Sequence, residues 1–265
     1  MKQIQQLIKQ VDLTQATELA ANVLRDDPAN ADVRALYIEL LCVQGALDKA
    51  DQQLDMMVRQ HADFLVGAVN LRQLIRAASA RADFYQGGMT ATLFNPVDAM
   101  FETLLSLHLS LREQDVSNAA EAAFKLEQQR QPALADVNDD GVSDIRDLDD
   151  SLCGYLELFG TDGKFYLAKF NEIESLRMCK PQSLLDTIWR RAEIIIKDGP
   201  QGEVFVPMTY VNSDKLTDRL GKGTDWQQHH EQLVTGLGQK MLLIGDKAIT
   251  LSELRSLAIK QVAAA

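Results

Sequence analysis

The chain has 265 residues, 46% hydrophobic and 25% charged, the balance of a globular protein with a full core. Its net charge of −11 opposes a phosphate backbone and argues against nucleic-acid binding. Its longest apolar runs, such as Ile194-Ile195-Ile196, are too short for membrane insertion, and no signal peptide is visible at the start. Three widely spaced cysteines (Cys42, Cys153 and Cys179) form neither a metal knuckle nor a disulfide framework, which fits a reducing, cytoplasmic setting.

The first half repeats with a period of 34 residues. Pro28, taken as position 32 of a tetratricopeptide unit, places Ala16 at position 20, where two helices cross and a small residue is needed. One period on, Ala50 takes that place, Gly45 takes the turn, and Leu54 and Met57 take packing positions. The first helix of that unit is expected over Ala31–Val43, with Tyr37 and Leu41 packing. A third match, anchored on Pro132, gives Leu104, Leu107, Leu111, Ala120 and Phe124 as packing residues. Between these units the pattern lapses after Ile75. A helix over Leu65–Ala80 is expected there, then a loop through Gly87-Gly88, with Asn95-Pro96 opening the next helix. A plain helical bundle is the competing reading. Both describe a scaffold that presents grooves.

After Pro132 the pattern changes. Lys164–Lys169, Arg191–Lys197, Val204–Val206 and Lys240–Ile244 read as short strands bounded by Gly, Asp and Pro. Helices are expected over Ile145–Phe159, Gln182–Trp189 and Leu251–Gln261. The expected architecture is multidomain, α and α+β. A TPR-like helical repeat domain (1–131) precedes an α+β domain (132–265) with a small, mostly antiparallel sheet.

The charge has an address. Residues 136–150 carry seven Asp and one Arg, more than half of the net charge. Asp136, Asn138, Asp140, Gly141, Asp144 and Asp147 fall at EF-hand positions 1, 3, 5, 6, 9 and 12, so a calcium-binding regulatory module is one reading. Against it, Ser143 stands where an apolar residue belongs, and the last ligand is a short Asp. The other reading is a tight turn at Asn138–Gly141 feeding a helix whose acidic first turns suit its dipole. No cofactor motif and no catalytic constellation emerges. His229-His230 have no HExxH context, His61 and His108 lack partners and read as surface or helix-end residues, and Gly221-Lys222-Gly223-Thr224 is not a phosphate loop. Cys153 and Cys179 read as core residues, and Ser213 has no GxSxG elbow. An unrecognised hydrolase built on Ser213 and the histidines ranks last.

The C-terminal half carries a motif series: Val206-Pro207 with Tyr210, Leu220-Gly221, Thr224-Asp225-Trp226, Gly236-Leu237-Gly238-Gln239-Lys240 and Gly245-Asp246. Upstream lie Ile145-Arg146-Asp147-Leu148-Asp149-Asp150 and Leu185-Asp186-Thr187-Ile188-Trp189-Arg190. In this order the series resembles the ImpE family, also called TagJ or SciE, of type VI secretion accessory proteins. The resemblance implies a non-enzymatic cytoplasmic adaptor. Its expected partners are the N-terminal helix of the sheath subunit TssB and the sheath-recycling ATPase ClpV. A helix laid into a groove is an established mode of recognition. The groove positions of the repeat are Asp32, Ala35, Glu39 and Cys42 in one unit and Glu102, Leu105, Leu109 and Arg112 in another. Tyr210 and Trp226 are the competing choice, as exposed aromatic anchors.

Overall fold

The computed structural model describes residues 1–88 and 90–260. Seven helices precede the first strand: α1 (Lys2–Lys9), α2 (Leu13–Asp26), α3 (Ala31–Val43), α4 (Leu47–Gln60), α5 (Leu65–Tyr85), α6 (Ala99–Arg112) and α7 (Val116–Gln129). Four start on a side-chain cap. Asp12, Asn30, Asp98 and Asp115 each accept the backbone N–H three residues on, which satisfies an otherwise orphaned donor. Ala16, Ala50 and Ala120 are buried where helices cross, as the repeat spacing predicts. Gly45 turns the chain between α3 and α4 at a φ of 73°, a left-handed conformation that suits glycine.

Three expectations in this half fail. α6 starts at Ala99 on the Asp98 cap, so Asn95-Pro96 lies in the loop before it. Phe124 is 52% exposed; Ala123 and Leu126 face the core in its place, so α7 is turned from the expected register, while Leu104 and Leu107 on α6 are buried as expected. His108 is not at the surface: its ring sits edge-on to Phe84 and Tyr85, with centroids 5.5 and 4.8 Å away.

The second half is a sheet larger than expected. Ten strands run in the order β11-β10-β2-β1-β12-β5-β6-β7-β3-β4, and every neighbouring pair is antiparallel. They are β1 (Leu134–Val137), β2 (Val142–Asp147), β3 (Tyr155–Gly160), β4 (Phe165–Lys169), β5 (Ile173–Met178), β6 (Trp189–Ile196), β7 (Gln201–Pro207), β10 (Met241–Ile244), β11 (Lys247–Thr250) and β12 (Ser256–Ile259). A short helix, α8 (Leu216–Arg219), precedes a separate hairpin of β8 (Thr224–His230) and β9 (Leu233–Gly238). The four sequence-predicted strands are present as β4, β6, β7 and β10.

The three helices expected in this half are not. Ile145–Phe159 is the end of β2, a turn and most of β3. The side chains of Asp147 and Asp149 take the backbone N–H groups of Asp149 and Ser151, holding the chain out of a helix. The acidic segment therefore starts a hairpin: the turn at Asn138–Gly141 exists, the helix after it does not. Gln182–Trp189 holds one 3-10 turn, because Asp186 captures the N–H groups of Gln182 and Ser183, and Trp189 opens β6. Leu251–Lys260 is a turn followed by β12, and Gln261 lies outside the described residues.

Strand alternation sets the layers. In β3, Tyr155 and Phe159 face the helices and share a core with Phe101, Phe84 and Leu104, whereas Leu156 and Leu158 join the opposite core with Ile194, Val206 and Leu257. One face of the sheet thus packs on the helical half.

Candidate docking surfaces and the buried junction

The two groups of groove residues meet different fates. On α3, Asp32 is exposed and Ala35 half-buried. Glu39 accepts a hydrogen bond from the Leu184 backbone (3.2 Å), and burial raises its pKa. Cys42 is buried, and burial followed by the nearby Glu39 charge pushes its thiol up to about 12. The far end of this face is therefore covered by the sheet half. On α6, Glu102, Leu105, Leu109 and Arg112 are all exposed, one stripe along the helix. Arg112 donates to the Gln86 carbonyl (2.7 Å). On α7, Val116 and Phe124 are exposed as well.

The two aromatics separate. Tyr210, expected exposed, is buried: its hydroxyl donates to Asp147 Oδ1 (2.8 Å) and accepts from the Met241 backbone (3.1 Å). Its ring lies over Gly236, where any Cβ would fall 2.1 Å from Cε2. Trp226 is 37% exposed and tilts against Tyr210, with centroids 6.0 Å apart.

The acidic segment assembles no cation site. Its side chains serve five separate local needs. Asp136 faces Lys260 at 3.8 Å, and Asp140 pairs with Lys247 at 2.9 Å. Asn138 accepts from the backbones of Arg255 and Ser256. Asp144 pairs with Arg130 and accepts from the Ala133 backbone. Asp147 is bound to Tyr210. Among the described residues no three His, Cys, Asp or Glu side chains converge as metal ligands. The calcium reading has no geometry behind it.

A cluster of buried charge joins the halves. Glu157 on β3 is fully buried and accepts both arms of the Arg81 guanidinium from α5, at 2.7 Å each. Tyr85 donates to the same carboxylate at 2.8 Å, and Lys240 pairs with it. Burial alone would raise the pKa of Glu157, but Arg81 and Lys240 outweigh it and hold the group down to about 2. Two more aspartates lie nearby without a close cation of their own. Asp147 is pushed up to about 7 by burial, which the Lys240 charge only partly offsets. Asp149 is pushed up to about 6 by burial, against the hydrogen bonds from Ser151 and Gly236. Asp149 and Asp150 also fix the β8–β9 hairpin, accepting from the backbones of Gly236 (2.8 Å) and Val234 (2.9 Å). Sequence reasoning missed this junction. Its one visible signal is Glu157 inside the apolar run Tyr155–Phe159.

The remaining polar groups serve structure. His229 and His230 lie at the irregularity that ends β8, and no group of three His, Cys, Asp or Glu side chains forms around them among the described residues. His229 Nε2 meets Thr235 Oγ1 at 2.9 Å. The Ser213 hydroxyl donates to the Tyr210 carbonyl (2.6 Å) and accepts from the Gly238 backbone (2.8 Å), so it closes a turn. Cys153 is buried and its thiol is directed at Glu127; Cys179 is half-buried. No helix is long and apolar enough to cross a membrane among the described residues.

Comparison with known proteins bears on these surfaces. A family model described as "ImpE protein" matches residues 139–258, and a tetratricopeptide repeat model matches residues 7–70. The chain is 24% identical over 259 residues to the type VI secretion system accessory component TagJ of Pseudomonas aeruginosa, covering 96% of this chain and 89% of that protein. It is also similar to the crystal structure of protein VPA1032 from Vibrio parahaemolyticus, at 35% identity and a TM-score of 0.94, covering 98% of each chain. With the motif series in place on the sheet half and the repeat on the helical half, residues 139–258 of the chain belong to the ImpE family.

Proposed function

We propose that this protein is a non-enzymatic accessory component of a bacterial type VI secretion system, working in the cytoplasm. It holds the N-terminal helix of the sheath subunit TssB and links the sheath to ClpV-dependent recycling. Residues 1–131 act as the docking unit and residues 132–265 as the ImpE-type unit that braces it.

The observation that carries the reading is that the helical half leaves apolar side chains uncovered at groove positions of two helices, Val66 and Val69 on α5 and Leu105 and Leu109 on α6, one of which seats the partner. Such side chains suit a helix laid across the repeat. The similarity to an accessory component supports the same role. Engagement of Ser213, Cys153 and Glu157 in structural bonds supports a binding protein over a hydrolase.

Capture of purified TssB by the immobilised chain tests it, with TssB lacking its N-terminal helix as control. Loss of capture with the shortened form is the expected outcome. Equal capture of both forms overturns the helix-docking role.

A further inference from the structure

The spacing that gives the groove residues of α3 continues into α5. Adding one period of 34 to Asp32, Ala35, Glu39 and Cys42 gives Val66, Val69, Gln73 and Arg76. The tetratricopeptide match itself runs to residue 70, so the first two of these lie inside it. They are equivalent positions on the first helix of the next unit.

The structure divides both rows into a closed end and an open end. At the closed end Glu39 is tied to the Leu184 backbone and Cys42 is buried. On α5 the turn between β3 and β4 abuts the same level: a Cβ on Gly163 would lie 2.4 Å from Gln73 Oε1 and 3.5 Å from Arg76 Cβ. At the open end Asp32 is exposed, and Val66 and Val69 are 72% and 46% exposed. Phe64 and Leu65 are exposed beside them. Four large apolar side chains within six residues form a patch, not the scattered exposure expected of an ordinary surface.

We propose that the partner helix enters between α3 and α5 from this open end, lays its apolar face on Val66 and Val69, and stops where the sheet half closes the groove. This rests on the helix-docking reading above and names its surface, with the α6 stripe as the competitor. From Asp32 to Glu39 the open wall spans about 10 Å of helix, so it seats about two turns. A longer segment has to leave the groove or end in it. The charge of the rim selects the occupant. Asp32 and Asp63 are exposed and make no ion pair among the described residues, whereas Arg59 is paired with Asp55. On a chain of net charge −11, this rim fits a helix with a basic residue beside its apolar face.

Fluorescence anisotropy with a labelled peptide of the TssB N-terminal helix and the full chain tests the assignment. Val66→Glu and Val69→Glu each weaken binding by about tenfold or more, the scale of a central contact. Leu109→Glu leaves it within about twofold, as for a residue outside the interface. Both α5 side chains are exposed, so an unchanged thermal midpoint separates lost docking from lost folding. Weakening by Leu109→Glu alone overturns the groove and moves the site to α6, with the helix-docking role intact. No binding by the unmodified chain overturns both. A peptide with its basic residues replaced by Gln that binds equally well overturns the charge selection. A dimer of the unmodified chain that Val66→Glu dissociates, without effect on the peptide, assigns the patch to self-association instead.

Discussion

The open end of the groove and the α5–β3 junction lie on the same helix and treat side chains in opposite ways. Near its N-terminus α5 leaves Val66 and Val69 in solvent, while fifteen and twelve residues later Arg81 is buried against Glu157. Apolar groups outside and charges inside invert the usual partition. Exposed apolar groups such as these cost the monomer little. The buried charges are a different matter. An ion pair such as Arg81–Glu157 contributes little net stability, because desolvation cancels most of the attraction, but its geometry admits one arrangement of helix on sheet. One end of α5 is open to solvent, and the other is fixed to its own chain.

Substitutions can break this contrast in order of effect. The largest is expected from Arg81→Ala, which leaves Glu157 buried beside Lys240 and Tyr85 with its main partner gone. A loss of about 3–5 kcal/mol in chemical denaturation is expected. A loss near zero would mean that water enters the junction freely. Next is Gly236→Ala, whose methyl has to displace the Tyr210 ring. Overpacking of this kind costs about 1–3 kcal/mol and should also weaken the protection of the β8–β9 amides in hydrogen exchange. Asp115→Ala removes the cap of α7 and costs about 1 kcal/mol. At the other extreme, Val66→Glu should change stability by no more than about 0.5 kcal/mol, because it touches solvent.

The junction also sets a pH profile. Asp147 and Asp149 titrate higher folded than unfolded, so the folded state holds their protons more tightly, and stability falls as pH rises from about 4 through about 7. Glu157 titrates lower folded than unfolded. Its contribution is present above about pH 4.3 and is lost as pH falls toward about 2. Together they place the maximum thermal midpoint near about pH 4. In Asp149→Asn the loss between about pH 5 and about pH 8 should shrink, and an unchanged profile would clear Asp149 of the effect.

What the sequence disclosed follows the same division. The helical half is legible because its code is local: a small residue at each crossing (Ala16, Ala50, Ala120), an Asp or Asn at most helix starts, and a fixed period between them. Strands with continuous apolar runs, such as Ile194–Ile196, are legible for the same reason. The acidic segment is not, because its conformation is decided at a distance. Ile145, Leu148 and Leu152 have helical spacing, yet Asp147 is claimed by Tyr210 and Asp149 by Gly236, residues 63 and 87 positions away. The groove on α5 was hidden by Arg72, which breaks the repeat where a small residue is usual and pairs instead with Asp51 and Asp55 on α4.

The strand order has a consequence for how the molecule is made. β12, the last strand in the chain, lies between β1 and β5 and joins the two parts of the sheet. The helices can assemble while the chain is still being synthesised, since their contacts are near neighbours in sequence. The sheet cannot close until residues 256–259 have emerged, some 120 residues after β1. Until then β1 and β5 each present an open edge, and such edges pair with other chains. Nascent protein is therefore most exposed to misassembly in its sheet half, and truncation ahead of Ser256 should yield a soluble helical region carrying an aggregation-prone remainder.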